Sequence, residues 1–176
     1  MRVVIVYESL FGNTRQVAEA IGEGVREARP EAEIDCVRVD QPAARERAGS
    51  ADLLVVGGPT HMRGMTSGLS RKMGVKAEMR KEEAERHDPE MGGEGPGLRD
   101  WFHELPKTRS AHAAAFDTHA DVRMAGGAAP AIARRLRSHH YELVAEPEGF
   151  LIEDTEGPLR KGELDRAKAW GAALHA

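Results

Sequence analysis

The stretch RVVIVYESLFGNTRQVAEA, residues 2–20, passes from an apolar run through a polar turn into a helical pattern. Its run from Val3 to Val6 is short, continuous and rich in β-branched residues, which predicts a strand buried on both faces of a sheet. The apolar residues after the turn recur at helical spacing: Val17, Ala18, Ile21, Val25 and Ala28. A buried strand, a turn and an amphipathic helix form the opening unit of an α/β fold.

The same alternation continues along the first third of the chain. EIDCVRV (33–39) predicts a second strand, the Ala/Arg/Glu segment at 43–48 suits a helix, and DLLVVGG (52–58) is another fully apolar strand. The order β-α-β-α-β favours a parallel sheet covered by helices.

Residues 64–97 interrupt this rhythm with mixed charges, many glycines and poor periodicity. We interpret the middle, at about Lys76–Arg86, as an exposed helix or a partly ordered lid; the alternative is a solvated insertion with no role.

Regular patterns return after the insertion. They predict a helix at 98–105, a strand at 111–118, a basic helix at 128–139 and a strand at 141–153 that is interrupted at Pro-Glu-Gly. A closing helix follows, with an apolar stripe at Leu164, Ala167, Trp170 and Leu174. No linker marks a second domain, so residues 1–176 are expected to form one domain with an insertion at 64–97.

The composition is that of a soluble globular protein, with 40% apolar and 31% charged residues in 176. A net charge of −4 argues against a nucleic-acid binder, which carries a basic stripe. The single cysteine, Cys36, excludes an intrachain disulfide and favours a reducing compartment. Because the first apolar run is too short for a signal sequence or a membrane span, we expect a cytoplasmic protein without a membrane span. The histidines and carboxylates show no metal-ligand spacing, so no metal site is predicted.

The polar turn of the opening stretch has the chemistry of a phosphate cradle. In an open parallel sheet, ligands bind where the winding direction reverses, here between the loops Ser9–Thr14 and Gly58–Gly64. Unpaired N–H groups at the start of the following helix attract an anion, Ser9 and Thr14 offer hydroxyl donors, and Gly12 permits close approach of the backbone. Asn13 is an N-cap or a further amide donor. The alternative is a simple capping turn, but three candidate donors exceed what one cap requires.

The stretch Ser9-Leu10-Phe11-Gly12-Asn13-Thr14 resembles the phosphate loop of flavodoxin-like FMN-binding proteins. GGPTH (57–61) matches that family's second flavin loop, FDTH (116–119) ends the strand before its third, and 148–174 is similar to its last strand and closing helix. The last strand carries no long insertion, as in the short-chain type. The resemblance implies a three-layer α/β/α sandwich with a five-stranded parallel sheet in the order 2-1-3-4-5, FMN as cofactor, and redox work.

The resemblance also implies the residues that contact the cofactor. They are Ser9, Leu10, Phe11, Gly12, Asn13, Thr14, Pro59, Thr60, His61, Met62, Arg63, Thr118 and His119. His61 and Met62 stand where the family usually has a stacking aromatic ring followed closely by a glycine. This departure weakens the case for a specialised one-electron carrier and favours a two-electron reductase. PTHMRG (59–64) is also similar to the Pro-Thr-Arg-Phe-Gly loop of flavodoxin-like NAD(P)H:quinone reductases.

Three functions therefore remain open, and the residues single out no catalytic side chain. The first is an electron-transfer flavoprotein that serves a redox partner protein; the acidic excess after Tyr141, eight residues against four basic ones, suits a basic partner. The second is an FMN-dependent oxidoreductase with a nicotinamide donor and a small quinone-like acceptor. The third is an interaction module of the same fold with weak or lost flavin binding. A deazaflavin in place of FMN is compatible with the phosphate loop.

Overall fold

The computed structural model describes residues 1–61, 64–65, 72–73, 75–76, 96–108, 111–121, 127–154 and 156–176. Its elements are β1 (Arg2–Tyr7), α1 (Asn13–Ala28), β2 (Glu33–Arg38), α2 (Ala43–Gly49), β3 (Leu53–His61), β4 (Gly64–Met65), α3 (Leu98–Glu104), β5 (His112–Ala120), α4 (Ala128–Ser138), β6 (Glu142–Leu143), β7 (Glu148–Ile152) and α5 (Glu163–Ala173). The helix or lid expected at about Lys76–Arg86 falls almost wholly outside the described residues.

The sheet confirms the predicted strand order 2-1-3-4-5. β2, β1, β3 and β5 lie side by side in parallel. The fifth position is shared by two short segments, β6 and β7, which both pair in parallel with β5. A parallel sheet in this order reverses its winding between β1 and β3, so the carboxyl ends of these two strands border the expected crevice.

The three central strands are buried on both faces, which confirms the three-layer arrangement. Val3 and Ile5 of β1 pack into one apolar cluster with α1, whereas Val4 and Val6 pack into the other, with α2, α3 and α4. All four side chains are fully buried. Because successive strand residues point to opposite faces, the continuous apolar run fills both layers of the core.

The second loop begins later than the sequence predicts. DLLVVGG was expected to end at Gly58, but β3 continues to His61 and its end forms an antiparallel pair with β4, Thr60 opposite Met65 and His61 opposite Gly64. Arg99 of α3 donates two hydrogen bonds to the carbonyl oxygen of Met65, at 3.1 and 2.9 Å. This tertiary tie, distant in sequence, holds the short extension in place.

Two further expectations are wrong in detail. The last strand breaks at residues 144–147, before Glu148 and Gly149, because Pro147 has no N–H to donate to the ladder with β5. On α5 the buried positions are Glu163, Ala167 and Gly171, spaced four apart. Of the predicted stripe, Ala167 and Leu174 are buried and Trp170 packs against the same apolar cluster, whereas Leu164 is 42% exposed.

Candidate functional site

The turn between β1 and α1 is built around a glycine in the left-handed conformation. Gly12 has φ 90° and ψ −13° and is the residue that precedes α1. Its N–H donates to the Oγ of the fully buried Ser9 at 3.1 Å. Because an L side chain in this conformation crowds the following carbonyl oxygen, glycine lets the chain turn sharply from the strand into the helix.

The polar side chains of this turn do not cap α1. The N-cap position makes no side-chain hydrogen bond. Asn13 instead donates from Nδ2 to the carbonyl oxygen of Glu156 at 2.7 Å, and the Thr14 hydroxyl lies 2.8 Å from that of Thr118. Within the described part of the chain, no side-chain oxygen accepts from the backbone N–H of Asn13 or Thr14. In this turn Ser9 serves the N–H of Gly12, and the N–H groups of Asn13 and Thr14 are left for another acceptor.

Two other helices that begin at this edge of the sheet receive carboxylates from the protein itself. Glu8, almost fully buried, accepts a hydrogen bond at Oε2 from Leu98 N of α3 at 2.9 Å. Asp117, 2% exposed, accepts one at Oδ2 from Ala129 N of α4 at 2.8 Å. A carboxylate at a helix N-terminus satisfies its N–H groups and its dipole. At α1 neither Asn13 nor Thr14 has such a carboxylate among the described residues.

A small cavity lies beside the start of α1. Its lining comes from the turn and from the carboxyl ends of three strands: Leu10, Phe11, Asn13, Thr14, Pro59, Thr60, Thr118 and Ile152. Its volume is about 20 Å³, enough for roughly one water molecule, so a larger ligand requires these side chains to move apart. Because only one hydroxyl of the Thr14–Thr118 pair donates to the other, the second retains a hydrogen for a further acceptor.

A second polar cluster surrounds Asp117 on the opposite face of β5. Asp117 Oδ2 accepts from the Thr60 hydroxyl at 3.0 Å, and Oδ1 lies 2.7 Å from Nδ1 of His119. The Thr60 oxygen in turn accepts from Ala128 N at 2.8 Å. The hydrogen bond to Asp117 raises the pKa of His119, against the opposing effect of partial burial. Asp117, Thr118 and His119 lie within β5, which runs to Ala120, two residues beyond the strand predicted at 111–118.

Comparison with known proteins identifies the architecture. No protein-family model and no curated protein sequence matches the chain. Its structure is similar to that of a flavodoxin from the domain Archaea, at 18% identity and a TM-score of 0.62, over 99% of this chain and 96% of the other. The Streptococcus pneumonia TIGR4 flavodoxin matches over 99% and 97%, at 14% identity and a TM-score of 0.67. The flavodoxin, WrbA-like protein from Agrobacterium tumefaciens matches over 98% and 94%, at 19% identity and a TM-score of 0.57.

The protein has a flavodoxin-like fold. At these identities the likeness establishes the fold and leaves the ligand and the reaction to the site residues. In this flavodoxin-like sheet the candidate residues lie at the carboxyl ends of the strands, which is the edge at which open parallel sheets bind their ligands.

The structure brings most of the predicted cofactor contacts together. The cavity collects Leu10, Phe11, Asn13, Thr14, Pro59, Thr60 and Thr118, with Ser9 and Gly12 in the same turn. His119 lies one residue beyond Thr118 on β5, and the backbone of His61 pairs with β4. Met62 and Arg63 are outside the described residues.

Three residues around this edge were missed by the sequence reading. Asp117 was not predicted as a site residue, although an acidic residue that directly follows the apolar run AHAAAF (111–116) within a strand is a signal of a buried, hydrogen-bonded carboxylate. Ile152 reaches the cavity because β7 pairs with β5. Glu156 contacts Asn13 across 143 positions of sequence, a separation for which no local pattern exists.

Some of the acidic residues near the carboxyl end of this flavodoxin-like chain form ion pairs with basic residues of the same chain. Arg166 contacts both Glu148 and Glu163, and Arg160 lies 3.8 Å from Glu153. The pair of Arg166 and Glu148 joins α5 to β7, and these internal pairs weaken the argument that the carboxylates form a docking surface. In the described part of the chain, no helix is long and apolar enough to cross a membrane, and no group of histidine, cysteine or acidic side chains forms a metal site.

Proposed function

We propose that the protein binds FMN and acts as an electron-transfer flavoprotein that passes reducing equivalents to a redox partner protein. The observation that carries the proposal is the start of α1, where Gly12 turns left-handed and, among the described residues, no side-chain oxygen accepts from the N–H of Asn13 or Thr14. The hydroxyls of Thr14 and Thr118 border the adjoining cavity. A likeness to flavodoxins along almost the whole of both chains supports the same conclusion.

The residues present suit a phosphate group. Backbone N–H groups at a helix start carry partial positive charge and bind phosphate without lysine or arginine. The hydroxyls of Ser9 and Thr14 add neutral donors, and Asn13 adds its backbone N–H while its side chain holds the turn at Glu156. The phosphate would replace the mutual contact of Thr14 and Thr118.

The remaining predicted contacts belong to the ring system. Leu10, Phe11, Pro59 and Thr118 lie at the cavity, and we assign His61, Met62, Arg63 and His119 to the same ligand. The Thr60 hydroxyl is already hydrogen-bonded to Ala128 N and Asp117, so Thr60 would contact the ligand mainly without a hydrogen bond. Bound FMN supplies the electron storage, while the protein supplies position and electrostatics.

The proposal is tested by comparing FMN with riboflavin, which lacks only the phosphate. Wild-type protein is expected to bind FMN more tightly, because hydrogen bonds to a charged group contribute about 1.5–3 kcal/mol each. Thr14→Val removes one such donor and should weaken FMN binding roughly tenfold or more while leaving riboflavin binding nearly unchanged. Equal affinities for the two ligands in the wild-type protein, or equal losses for both in the variant, would contradict the phosphate assignment.

The second candidate is an FMN-dependent NAD(P)H:quinone-type oxidoreductase. It is supported by the protonatable pair of His119 and Asp117 at the same edge of the sheet, because two-electron chemistry benefits from a nearby proton donor. Oxidation of NAD(P)H that depends on an added quinone and on bound FMN would favour this candidate over the carrier.

A further inference from the structure

Asp117 is a buried carboxylate that several contacts hold in one position. Its Oδ2 accepts hydrogen bonds from Thr60 Oγ1 and Ala129 N, and its Oδ1 lies 2.7 Å from His119 Nδ1. A Cβ placed on Gly127 would lie 2.3 Å from Oδ2, so the start of α4 closes directly over the carboxylate. The side chain has little freedom to leave His119.

The ring of His119 is confined from the other side by β7. A Cβ on Gly149 would lie 2.4 Å from His119 Cε1, so the glycine provides the space that the imidazole occupies. With Nδ1 engaged by Asp117, the second ring nitrogen, Nε2, has no hydrogen-bond partner among the described residues. The side chain is 33% exposed, so Nε2 is free to exchange a proton with solvent or to face a ligand.

The charges around His119 favour its protonated form. Asp117 and Asp121 approach it from β5 and the turn after it, and Glu163 approaches from α5. Asp121 forms an ion pair with Arg160, and Glu163 and Glu148 form ion pairs with Arg166. Asp117 is the carboxylate in direct contact with His119. The hydrogen bond to Asp117 raises the pKa of His119, and partial burial opposes it.

We propose that Asp117 is a positioning residue that presents Nε2 of His119 as the proton-binding group of the cofactor site, so that adding electrons to the site draws a proton onto His119. This inference rests on the proposed function, since it takes FMN as the cofactor at this edge. In this proposal the pair of Asp117 and His119 couples electron transfer at the site to the uptake of a proton.

The coupling follows from charge balance. An external reductant delivers two electrons to the site, and the negative charge added there strengthens the hold on a proton at Nε2 of His119. The proton comes from solvent, and Asp117 stays in place through its contacts with Thr60, Ala129 N and His119. Reoxidation by an external acceptor removes the two electrons and releases the proton again.

The first test measures the protonation of His119 in the protein without cofactor. NMR titration of the wild-type protein is expected to give His119 a pKa above the ordinary value of 6.5. In Asp117→Asn the pKa should fall to 6.5 or below, because the contacting negative charge is lost. An unchanged pKa of His119 in that variant would overturn the positioning role. Should Asp117→Asn fail to fold, the wild-type titration decides alone, and a pKa at or below 6.5 there would overturn it.

The second test measures the midpoint potential of bound FMN between pH 5 and 9, with dithionite as the reductant. The potential of the wild-type complex should bend at the titration of His119, and His119→Gln should remove that bend. His112 lies at the opposite, amino-terminal end of β5, 3.9 Å from Glu142, so His112→Gln serves as the matched control and should keep it.

The outcomes separate this inference from the proposed function. A pH dependence that is the same in His119→Gln and in the wild-type complex would overturn the inference while FMN binding stands. Failure of the wild-type protein to bind FMN would overturn the proposed function and the coupling together, whatever pKa His119 shows.

Discussion

Gly12 and Gly162 form a natural pair for testing the phosphate turn. Both precede a helix in the left-handed conformation, Gly12 with φ 90° and ψ −13° and Gly162 with φ 89° and ψ −11°. Gly12 lies in the turn beside the cavity, whereas a Cβ on Gly162 would meet nothing within 4 Å. Replacing each by alanine places a side chain on the same left-handed backbone conformation, once in the turn beside the cavity and once in open space.

The magnitude follows from the backbone. A non-glycine residue in the left-handed region costs roughly 1–2 kcal/mol, and each kcal/mol lowers the melting temperature of a domain of this size by about 2–4 °C. Gly12→Ala and Gly162→Ala should therefore lose similar stability in the absence of ligand. Only Gly12→Ala should bind FMN more weakly, by roughly tenfold or more, because Gly12 belongs to the proposed phosphate turn, where a glycine permits close approach of the ligand to the backbone.

The assay combines denaturant unfolding of each variant without ligand with fluorescence titration by FMN. Gly162→Ala reports the effect of strain alone on affinity, and Gly12→Ala adds the effect at the turn. Equal FMN affinity in the two variants would refute the reasoning that Gly12 exists to admit a phosphate, even if both lose stability as calculated.

Two further predictions concern the framework that holds the site. Gly24→Ala in α1 should destabilise the protein by about 1–3 kcal/mol or more, because its Cβ would lie 1.9 Å from the carbonyl oxygen of Lys168 in α5. A Cβ on Gly49 would meet nothing within 4 Å, so Gly49→Ala should be neutral or stabilising in the same denaturation assay. Burial opposes ionisation of Glu163, but hydrogen bonds from Arg166 and Leu151 N hold its pKa below 4.5. Glu163→Gln should therefore cost stability above pH 4.5, and the deficit should shrink as the pH falls through the lowered pKa; a deficit that does not change between pH 6 and pH 3 would contradict this assignment.

The alternation of apolar runs and helical spacing was sufficient to predict a parallel sheet covered by helices, whereas the strand order 2-1-3-4-5 and the three layers were implied by the resemblance to flavodoxin-like proteins. β1 and the first part of β3 are fully buried runs in which each residue faces one layer or the other, and such runs read directly from sequence. The turn at 9–14 was found for a similar reason, because the conformational freedom of Gly12 and the donor chemistry of its neighbours are local properties.

The features that escaped prediction depend on contacts between distant segments. β3 continues to His61 because β4 pairs with it and Arg99 of α3 binds β4. The partner of Asp117 in α4, Ala129 N, is 12 positions away in sequence and is visible only in the structure. Local spacing could not reveal these neighbours, and it misplaced Leu164, which has the helical spacing of Ala167 and Leu174 but is 42% exposed.

The most direct test of the central claim is a titration of the cofactor-free protein with FMN, followed by flavin fluorescence and visible absorption. We predict one FMN bound per chain, with altered absorption of the flavin and a higher affinity than for riboflavin. Absence of binding, or FMN binding no tighter than riboflavin, would contradict the claim that the start of α1 holds the phosphate of this cofactor.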